Sequence, residues 1–112
     1  MHLTFRNRKL EKRLTTARFL IALHGTRRAA LIQQRLSEIE AAPNLAVLRL
    51  LPRPRCHELK GDRKGQLSVD LDHPCRLLFT PDHDPVPQAA AGGMDWNAIT
   101  RVRIEEVVDT HE

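Results

Sequence analysis

The periodicity of the apolar residues changes once along this 112-residue chain, and that change constrains the fold more than any other feature. Before Pro52-Arg53-Pro54-Arg55, apolar residues recur every three or four positions, which is typical of amphipathic helices. After this turn, apolar and polar residues alternate, which is typical of strands with one buried face. The pattern predicts an α+β domain with helices packed on one face of a mainly antiparallel sheet.

The first part of the chain predicts one short strand and two helices. Leu3-Thr4-Phe5 alternates like a strand, and Asn7 is a suitable N-cap for the first helix. Residues 17–23 either extend that helix or form a separate turn, and Gly25 ends the segment. Thr26 is a suitable N-cap for a second helix. The apolar stripe of the second helix consists of Ala29, Ile32, Leu36 and Ile39.

The remainder of the chain predicts strands joined by turns. Ala41-Ala42-Pro43-Asn44 ends the second helix. Alternating runs follow at Cys56–Leu59, Gln66–Leu71 and Cys75–Thr80, and the strongest one covers residues 99–109. The predicted order of elements is β-α-α-β-β-β.

The length and composition predict a single soluble domain over residues 1–112. The Pro- and Gly-rich residues 81–93 predict a mobile loop within it, because too little chain follows for a second domain. No apolar run could span a bilayer, and the N-terminal residues do not resemble a signal peptide. Two cysteines without zinc-site spacing fit a reducing compartment, so a cytoplasmic location is expected.

The formal charge of +4 conceals an uneven distribution. Residues 1–65 carry 15 Lys or Arg and five acids, whereas residues 66–112 carry three bases and nine acids. A basic portion beside an acidic portion is consistent with a polyanion partner, an acidic protein partner, or both. Solvated helix faces are the simpler explanation, although the arginines crowded into the first portion slightly favour nucleic acid.

Four segments of the chain form a specific series. They are Phe5-Arg6-Asn7-Arg8-Lys9-Leu10-Glu11-Lys12, His57-Glu58-Leu59-Lys60-Gly61-Asp62-Arg63-Lys64-Gly65, Cys75-Arg76-Leu77-Leu78-Phe79 and Glu106-Val107-Val108-Asp109-Thr110-His111. In this order they resemble the HigB-type toxins of the RelE/ParE superfamily, also described as plasmid maintenance killer proteins. The resemblance covers nearly the whole chain and implies a RelE-like fold.

The resemblance also implies a function and partners. It indicates a type II toxin that cleaves mRNA on the ribosome and is neutralised by a separately encoded, HigA-like antitoxin. Such an antitoxin often carries a helix-turn-helix, through which the toxin would contact operator DNA indirectly. By position, the catalytic residues become His57, Asp109 and His111. The chain departs from the family at Thr110, where a Tyr is usual, and in the longer loop over residues 81–93.

The chemistry of RNA cleavage gives these residue types a role. Attack by the 2′-hydroxyl needs a base, an acid for the leaving 5′-oxygen, and cations around the phosphorane. Imidazoles titrate near neutral pH, so His57 and His111 could supply both proton transfers. Asp109 would orient an imidazole or hold a partner Arg in place.

Strand alternation predicts where the polar groups lie. The odd-numbered polar residues of the last strand should share one solvent-open face, on which RNA could bind: Arg101, Arg103, Asp109 and His111. The even-numbered residues should form the buried face: Val102, Ile104 and Val108. Arg76 lies opposite Leu77 and Phe79, which makes it the candidate cation for the reacting phosphate. The other candidate phosphate-binding residues are Lys60, Arg63, Lys64, Arg101 and Arg103.

Each of these residues has a simpler interpretation. Arg76 could form a salt bridge with Asp70 or Asp72, and His57 could be an ordinary strand residue. Asp82-His83-Asp84 has no partner cluster, and Gly61 precedes no helix that could bind a nucleotide, so neither a metal nor a cofactor is predicted.

Two other functions remain open at the level of sequence. One is a gyrase-directed toxin of the ParE branch, against which the presence of His57 and His111 argues. The other is a catalytically impaired homologue that binds an antitoxin and operator DNA, which Thr110 keeps open.

Overall fold

The computed structural model describes residues 1–109, which form a five-stranded mixed sheet and three α-helices. The strands are β1 (His2–Phe5), β2 (His57–Glu58), β3 (Leu67–Asp70), β4 (Cys75–Pro81) and β5 (Arg101–Asp109). The helices are α1 (Arg8–Thr15), α2 (Ala17–Ala41) and α3 (Leu45–Arg49), and one turn of 3-10 helix covers Gly61–Arg63. The predicted α+β class is confirmed.

The strands follow the order β1-β5-β4-β3-β2 across the sheet. β1 runs parallel to β5, and the other three neighbouring pairs are antiparallel, which confirms a mainly antiparallel sheet. The predicted order β-α-α-β-β-β is incomplete by one strand and one helix. The additional strand is β2, in which His57 and Glu58 pair with Ser68 and Leu67. It falls within the alternating run Cys56–Leu59, which the predicted order did not count as a separate strand.

The helical part begins as the sequence predicts. The side chain of Asn7 accepts a hydrogen bond from the amide of Leu10 at 2.8 Å, which caps α1. Thr16 is extended and separates α1 from α2, so residues 17–23 belong to a new helix. Gly25 adopts φ 79° and ψ 165° within α2, and two helical arms therefore meet there at a kink.

The short helix α3 was not predicted. Asn44, expected only to end the preceding helix, also caps the next one, because its side chain accepts from the amide of Val47 at 3.0 Å. Leu45 and Leu48 of α3 are fully buried. The segment after Pro43 therefore adds to the core before the chain enters the sheet.

One apolar cluster joins the helices to one face of the sheet. Its fully buried members from α2, β4 and β5 include Leu20, Ile32, Leu77, Phe79 and Ile104. Residues that pair across two antiparallel strands point to the same side of the sheet. Phe79 pairs with Ile104, so both lie on the helix-facing side. Arg35, expected outside the apolar stripe of its helix, is also buried, where its Nε donates to the carbonyl of Asp70 at 2.6 Å.

A bulge changes the alternation of β5. Leu78 pairs with Glu106, but the next residue of β4, Phe79, pairs with Ile104, so β5 has one extra residue at this point. The residues of β5 beyond the bulge consequently exchange faces. Val108 then pairs with Arg76, and the prediction of one face for all odd-numbered polar residues of β5 is wrong.

The face opposite the helices is only partly open, contrary to the prediction. Leu78 and Ser68 are fully buried in its centre, and Arg76 is 7% exposed. The segment 81–93 leads into a small closed turn over residues 88–94, in which Gln88 and Met94 pair as an isolated bridge and the amide of Ala89 donates to the carbonyl of Gly93. Within residues 1–109, no helix has both the length and the apolar character needed to cross a bilayer.

Candidate functional site

His57 lies on β2, at the edge of the sheet, and its ring is fixed by the backbone just before it. Nδ1 is 2.9 Å from the carbonyl oxygen of Arg55. A carbonyl oxygen only accepts hydrogen bonds, so Nδ1 carries the proton in this contact. In the neutral ring Nε2 therefore holds the free lone pair, and this nitrogen can accept a proton.

His57 contributes to a cavity of about 350 Å³. Its lining consists of Arg55, His57, Glu58, Leu59, Lys60 and Arg76. The sheet register explains why residues distant in sequence meet here, since β3 pairs with β2 on one side and with β4 on the other. Three of the predicted site residues, His57, Lys60 and Arg76, are thus brought together.

Asp70 links two arginines of the cavity. Its carboxylate accepts from Nε and Nη2 of Arg55 at 2.8 and 3.3 Å, and lies 3.8 Å from Nε of Arg76. The simpler interpretation of Arg76 as a salt-bridge partner of Asp70 is therefore confirmed. The hydrogen bond with Asp70 raises the pKa of Arg55 above its usual value. Arg55 and Arg76 both line the same cavity as His57.

The backbone of Arg55 is unusual. Its φ of 48° lies in the left-handed region, which non-glycine residues rarely adopt. The same residue gives its carbonyl to His57 and its side chain to Asp70. The two-point contact with Asp70 thus holds the strained residue that orients the imidazole.

Asp109 does not join this cavity. It pairs with Cys75 on the helix-facing side of the sheet, and it acts electrostatically on Arg28 of α2. The expected grouping of Asp109 with His57 and Arg76 is therefore wrong, because the bulge in β5 reverses its face. His111 and Thr110 lie outside the described residues.

A second charged cluster surrounds Arg28. Its Nε and Nη2 donate to the carboxylate of Asp72 at 2.8 and 3.1 Å, which ties α2 to the turn between β3 and β4. This hydrogen bond lowers the pKa of Asp72 and raises that of Arg28. Burial, and then the charge of Arg28, lowers the pKa of His24 from its usual 6.5.

The other predicted phosphate-binding residues are dispersed. Nη1 of Arg63 contacts the side chain of Gln66 at 3.4 Å, and Lys64 lines a separate cavity. Arg101 and Arg103 are exposed on β5, where a hydrogen bond with Glu105 at 2.7 Å raises the pKa of Arg103. Arg103 pairs with Thr80, which lies four residues along β4 from Arg76. Thr80 and Arg76 are therefore roughly 13 Å apart along the strand.

Sequence reasoning missed two polar contributors to the cavity, Arg55 and Glu58, as well as the apolar Leu59. Arg55 was assigned to a turn, and only its position two residues before His57 could have indicated a role. Glu58 lines the cavity while its side chain accepts from the amide of Gly65 at 3.2 Å. Three cations line the cavity against the carboxylate of Glu58, and Asp70 already pairs with Arg55 and Arg76, so the cluster has a small excess of positive charge.

Within the described part of the chain, the remaining reactive groups form no metal-binding cluster. Within residues 1–109, no group of three or more His, Cys, Asp or Glu side chains is placed to hold a metal ion. Cys56 and Cys75 are buried free thiols. Burial raises the pKa of Cys56 to about 12, so its thiol stays protonated at neutral pH.

Comparison with known proteins adds no assignment. Neither a scan against protein-family models nor a search of curated proteins gives a match. The function of the cavity must be inferred from its own chemistry.

Proposed function

We propose that the protein is an endoribonuclease toxin of a type II toxin–antitoxin pair, with a RelE-like fold. The observation that carries the proposal is the meeting of His57, Lys60 and Arg76 around one cavity. An imidazole beside several cations is the combination that RNA cleavage without an external nucleophile requires. The α+β order, with α1 and α2 before the antiparallel strands, supports the RelE-like classification.

In the proposed reaction the 2′-oxygen of the RNA attacks the adjacent phosphorus. Nε2 of His57 accepts the proton of the 2′-hydroxyl as the 2′-oxygen–phosphorus bond forms. The bond from phosphorus to the 5′-oxygen breaks, and that oxygen takes up a proton. The products are a 2′,3′-cyclic phosphate and a free 5′-hydroxyl, so no oxidant or reductant is consumed.

The cations have a separate role in this scheme. Arg76 and Arg55 hold the phosphate oxygens and stabilise the charge that develops in the phosphorane. Lys60 binds a neighbouring phosphate of the RNA backbone. We propose His111 as the group that protonates the 5′-oxygen. Asp109 is left out of the proton transfers, because it pairs with Cys75 on the helix-facing side.

The proposed partners follow from the same scheme. The substrate is mRNA positioned by the ribosome, which implies a cytoplasmic location and explains how so small a site can act selectively. A HigA-like antitoxin with a helix-turn-helix would neutralise the toxin and connect it to operator DNA. The excess of bases over residues 1–65 favours both an RNA partner and an acidic protein partner.

The direct test is cleavage of a translated mRNA in a cell-free system. The wild-type protein should cut the transcript within its coding sequence, and His57→Ala should slow cutting by about 10²- to 10⁴-fold. His2→Ala, which removes an exposed imidazole from β1, is the matched control and should cut normally.

Three results would contradict the proposal. An intact transcript together with altered DNA supercoiling would indicate a gyrase-directed toxin. Tight binding of an antitoxin without any cleavage would indicate a binding module. Equal cleavage by wild type and His57→Ala would remove the imidazole from the mechanism.

A further inference from the structure

A second cavity adjoins the His57 cavity, between the loop that joins β2 to β3 and the segment that follows β4. Its volume is about 410 Å³. We name it the turn cavity and define it by six of its lining residues: Glu58, Lys64, Gly65, Pro81, Val86 and Met94. Glu58 also lines the His57 cavity, so the two cavities meet at this side chain.

The position of β2 explains how one ligand can reach both cavities. This strand ends the sheet, and it contains only His57 and Glu58. His57 pairs with Ser68 and Glu58 pairs with Leu67, so the two side chains leave the strand on opposite sides. A flexible chain that contacts His57 therefore reaches the turn cavity by passing around one short strand at the edge of the sheet.

The apolar part of the lining comes from the end of β4 and the segment after it. Pro81, Val86 and Met94 are all half-buried. Met94 is held in place by its bridge to Gln88. The thioether of a methionine makes favourable contacts with aromatic rings, so this part of the lining suits a flat, aromatic ligand better than a phosphate group.

The polar part of the lining is a carboxylate and an ammonium group. Oε2 of Glu58 accepts a hydrogen bond from the amide of Gly65 at 3.2 Å, which orients the carboxylate. Each carboxylate oxygen can accept more than one hydrogen bond, so both retain capacity for a ligand. Among residues 1–109, neither Glu58 nor Lys64 forms an ion pair.

We infer that the turn cavity binds a guanine base beside the phosphate that reacts at His57. This inference rests on the proposed ribonuclease function and adds a base preference to it. The Watson–Crick edge of guanine presents two neighbouring donors, N1–H and the N2 amino group, next to the acceptor O6. The carboxylate of Glu58 matches the two donors, and the ammonium group of Lys64 matches O6.

The other bases match these two groups less well. Adenine and cytosine each present one amino group beside an acceptor, and uracil presents one N–H between two acceptors. None of the three offers two neighbouring donor atoms to one carboxylate. A site that hydrogen-bonds two donors disfavours a base that lacks one of them, because a polar group of the site is then left unpaired.

The test is the binding of short, labelled single-stranded oligonucleotides to the full chain. They consist of 2′-deoxynucleotides, so they cannot be cleaved through a 2′-hydroxyl, and each carries one central base between thymines. Hypoxanthine is the matched control for guanine, because it keeps N1–H and O6 and lacks only the amino group. Fluorescence anisotropy at low salt should show roughly tenfold tighter binding of the guanine oligonucleotide than of the hypoxanthine, adenine or cytosine oligonucleotides.

Variants of the full chain assign this preference to the turn cavity. Glu58→Gln keeps an oxygen for the amide of Gly65 but replaces the other acceptor by a donor, so it should abolish the preference for guanine over hypoxanthine. Lys64→Gln should weaken the binding of guanine and hypoxanthine, which share O6, more than that of adenine. Glu40→Gln and Lys9→Gln change the same charges at exposed helix positions and should keep the preference.

The outcomes separate this inference from the ribonuclease proposal. His57→Ala should keep the guanine preference, because His57 does not line the turn cavity. If the wild type cleaves mRNA but binds guanine and hypoxanthine equally, the ribonuclease proposal stands and this inference is overturned. A guanine preference that disappears in Glu58→Gln, in a protein that cleaves no mRNA, would support the guanine site and overturn the ribonuclease proposal alone.

Three further results would overturn the guanine site. They are a preference for another base, an undiminished guanine preference in Glu58→Gln, and the absence of binding by every oligonucleotide.

Discussion

Two aspartates only two residues apart, Asp70 and Asp72, organise very different surroundings. Asp70 contacts Arg55 and Arg76, both of which line the His57 cavity. Asp72 contacts Arg28 and so fastens α2 to the turn between β3 and β4. The arginines that contact Asp70 also line a cavity, whereas the arginine that contacts Asp72 joins two elements of the fold.

The same type of interaction, an Asp–Arg ion pair, thus occurs both beside a candidate site and at a purely structural contact. An ion pair between Asp and Arg is not itself a sign of a site. What distinguishes the Asp70 cluster is that its arginines share a cavity with an imidazole whose free lone pair is defined. The Asp72 cluster has an imidazole too, but burial and Arg28 lower the pKa of His24, which disfavours its charged form.

The largest expected difference between the clusters concerns Arg76 and Arg28. Arg76→Ala should reduce the rate of RNA cleavage by about 10²- to 10³-fold, because a cation that stabilises the transition state is removed. Arg28→Ala should leave the rate unchanged below its melting temperature. Single-turnover cleavage measures both. Since Arg76 is nearly buried, Arg76→Lys tests the same point in a less disruptive variant, and undiminished cleavage in both would contradict the role.

A smaller effect should follow from Asp70→Asn. The variant loses the charge-assisted contact with Arg55, so the carbonyl that orients His57 is no longer held, and cleavage should fall roughly tenfold. Nitrogen NMR of His57 should show a change in the proportion of ring protonated at Nδ1. Asp72→Asn is the matched control, and an identical His57 spectrum in both variants would refute positioning by Asp70.

The Asp72 cluster should instead affect stability and its pH dependence. Asp72→Asn should lower the free energy of unfolding by about 1 kcal/mol or less, because the pair is partly exposed. The pKa of Asp72 is lowered in the fold, so its contribution is complete above its ordinary 3.8 and is lost as the pH falls through the lowered value. Denaturant titrations between neutral and acidic pH should show this loss in the wild type and not in Asp72→Asn.

The smallest expected effect comes from His24. Its pKa lies below 6.5 in the fold, so the unfolded chain binds a proton first and stability falls as the pH drops below that value. His24→Gln should have a flatter stability profile in this range. A steeper profile in the variant would mean that the folded state favours the charged imidazole.

Local signals predicted much of the fold. Asn7 caps α1 through one hydrogen bond to a residue three positions on, and Gly25 alone supplies the positive φ at the kink, so both were visible in the sequence. The helix after Asn44 was missed because its five residues are too short for a periodic pattern.

The candidate site could be predicted only where side chains alternate regularly between the two faces of a strand. His57 and Arg76 meet because regular pairing continues from β2 through β3 to β4. The grouping of Asp109 failed because the extra residue in β5 reverses every later side chain; Glu106 and Val107 break the alternation in the sequence, but this break was not interpreted as a bulge. Arg55 was missed because its role depends on a backbone conformation and on Asp70, not on a motif.

The central claim is that the His57 cavity cleaves RNA through the 2′-hydroxyl. The most direct measurement uses a ribosome-bound mRNA with a single 2′-deoxynucleotide at a mapped cleavage position. We predict that cutting at that position disappears, and that unmodified positions yield 2′,3′-cyclic phosphate ends. Continued cutting at the deoxynucleotide, or products with a 5′-phosphate, would contradict the account.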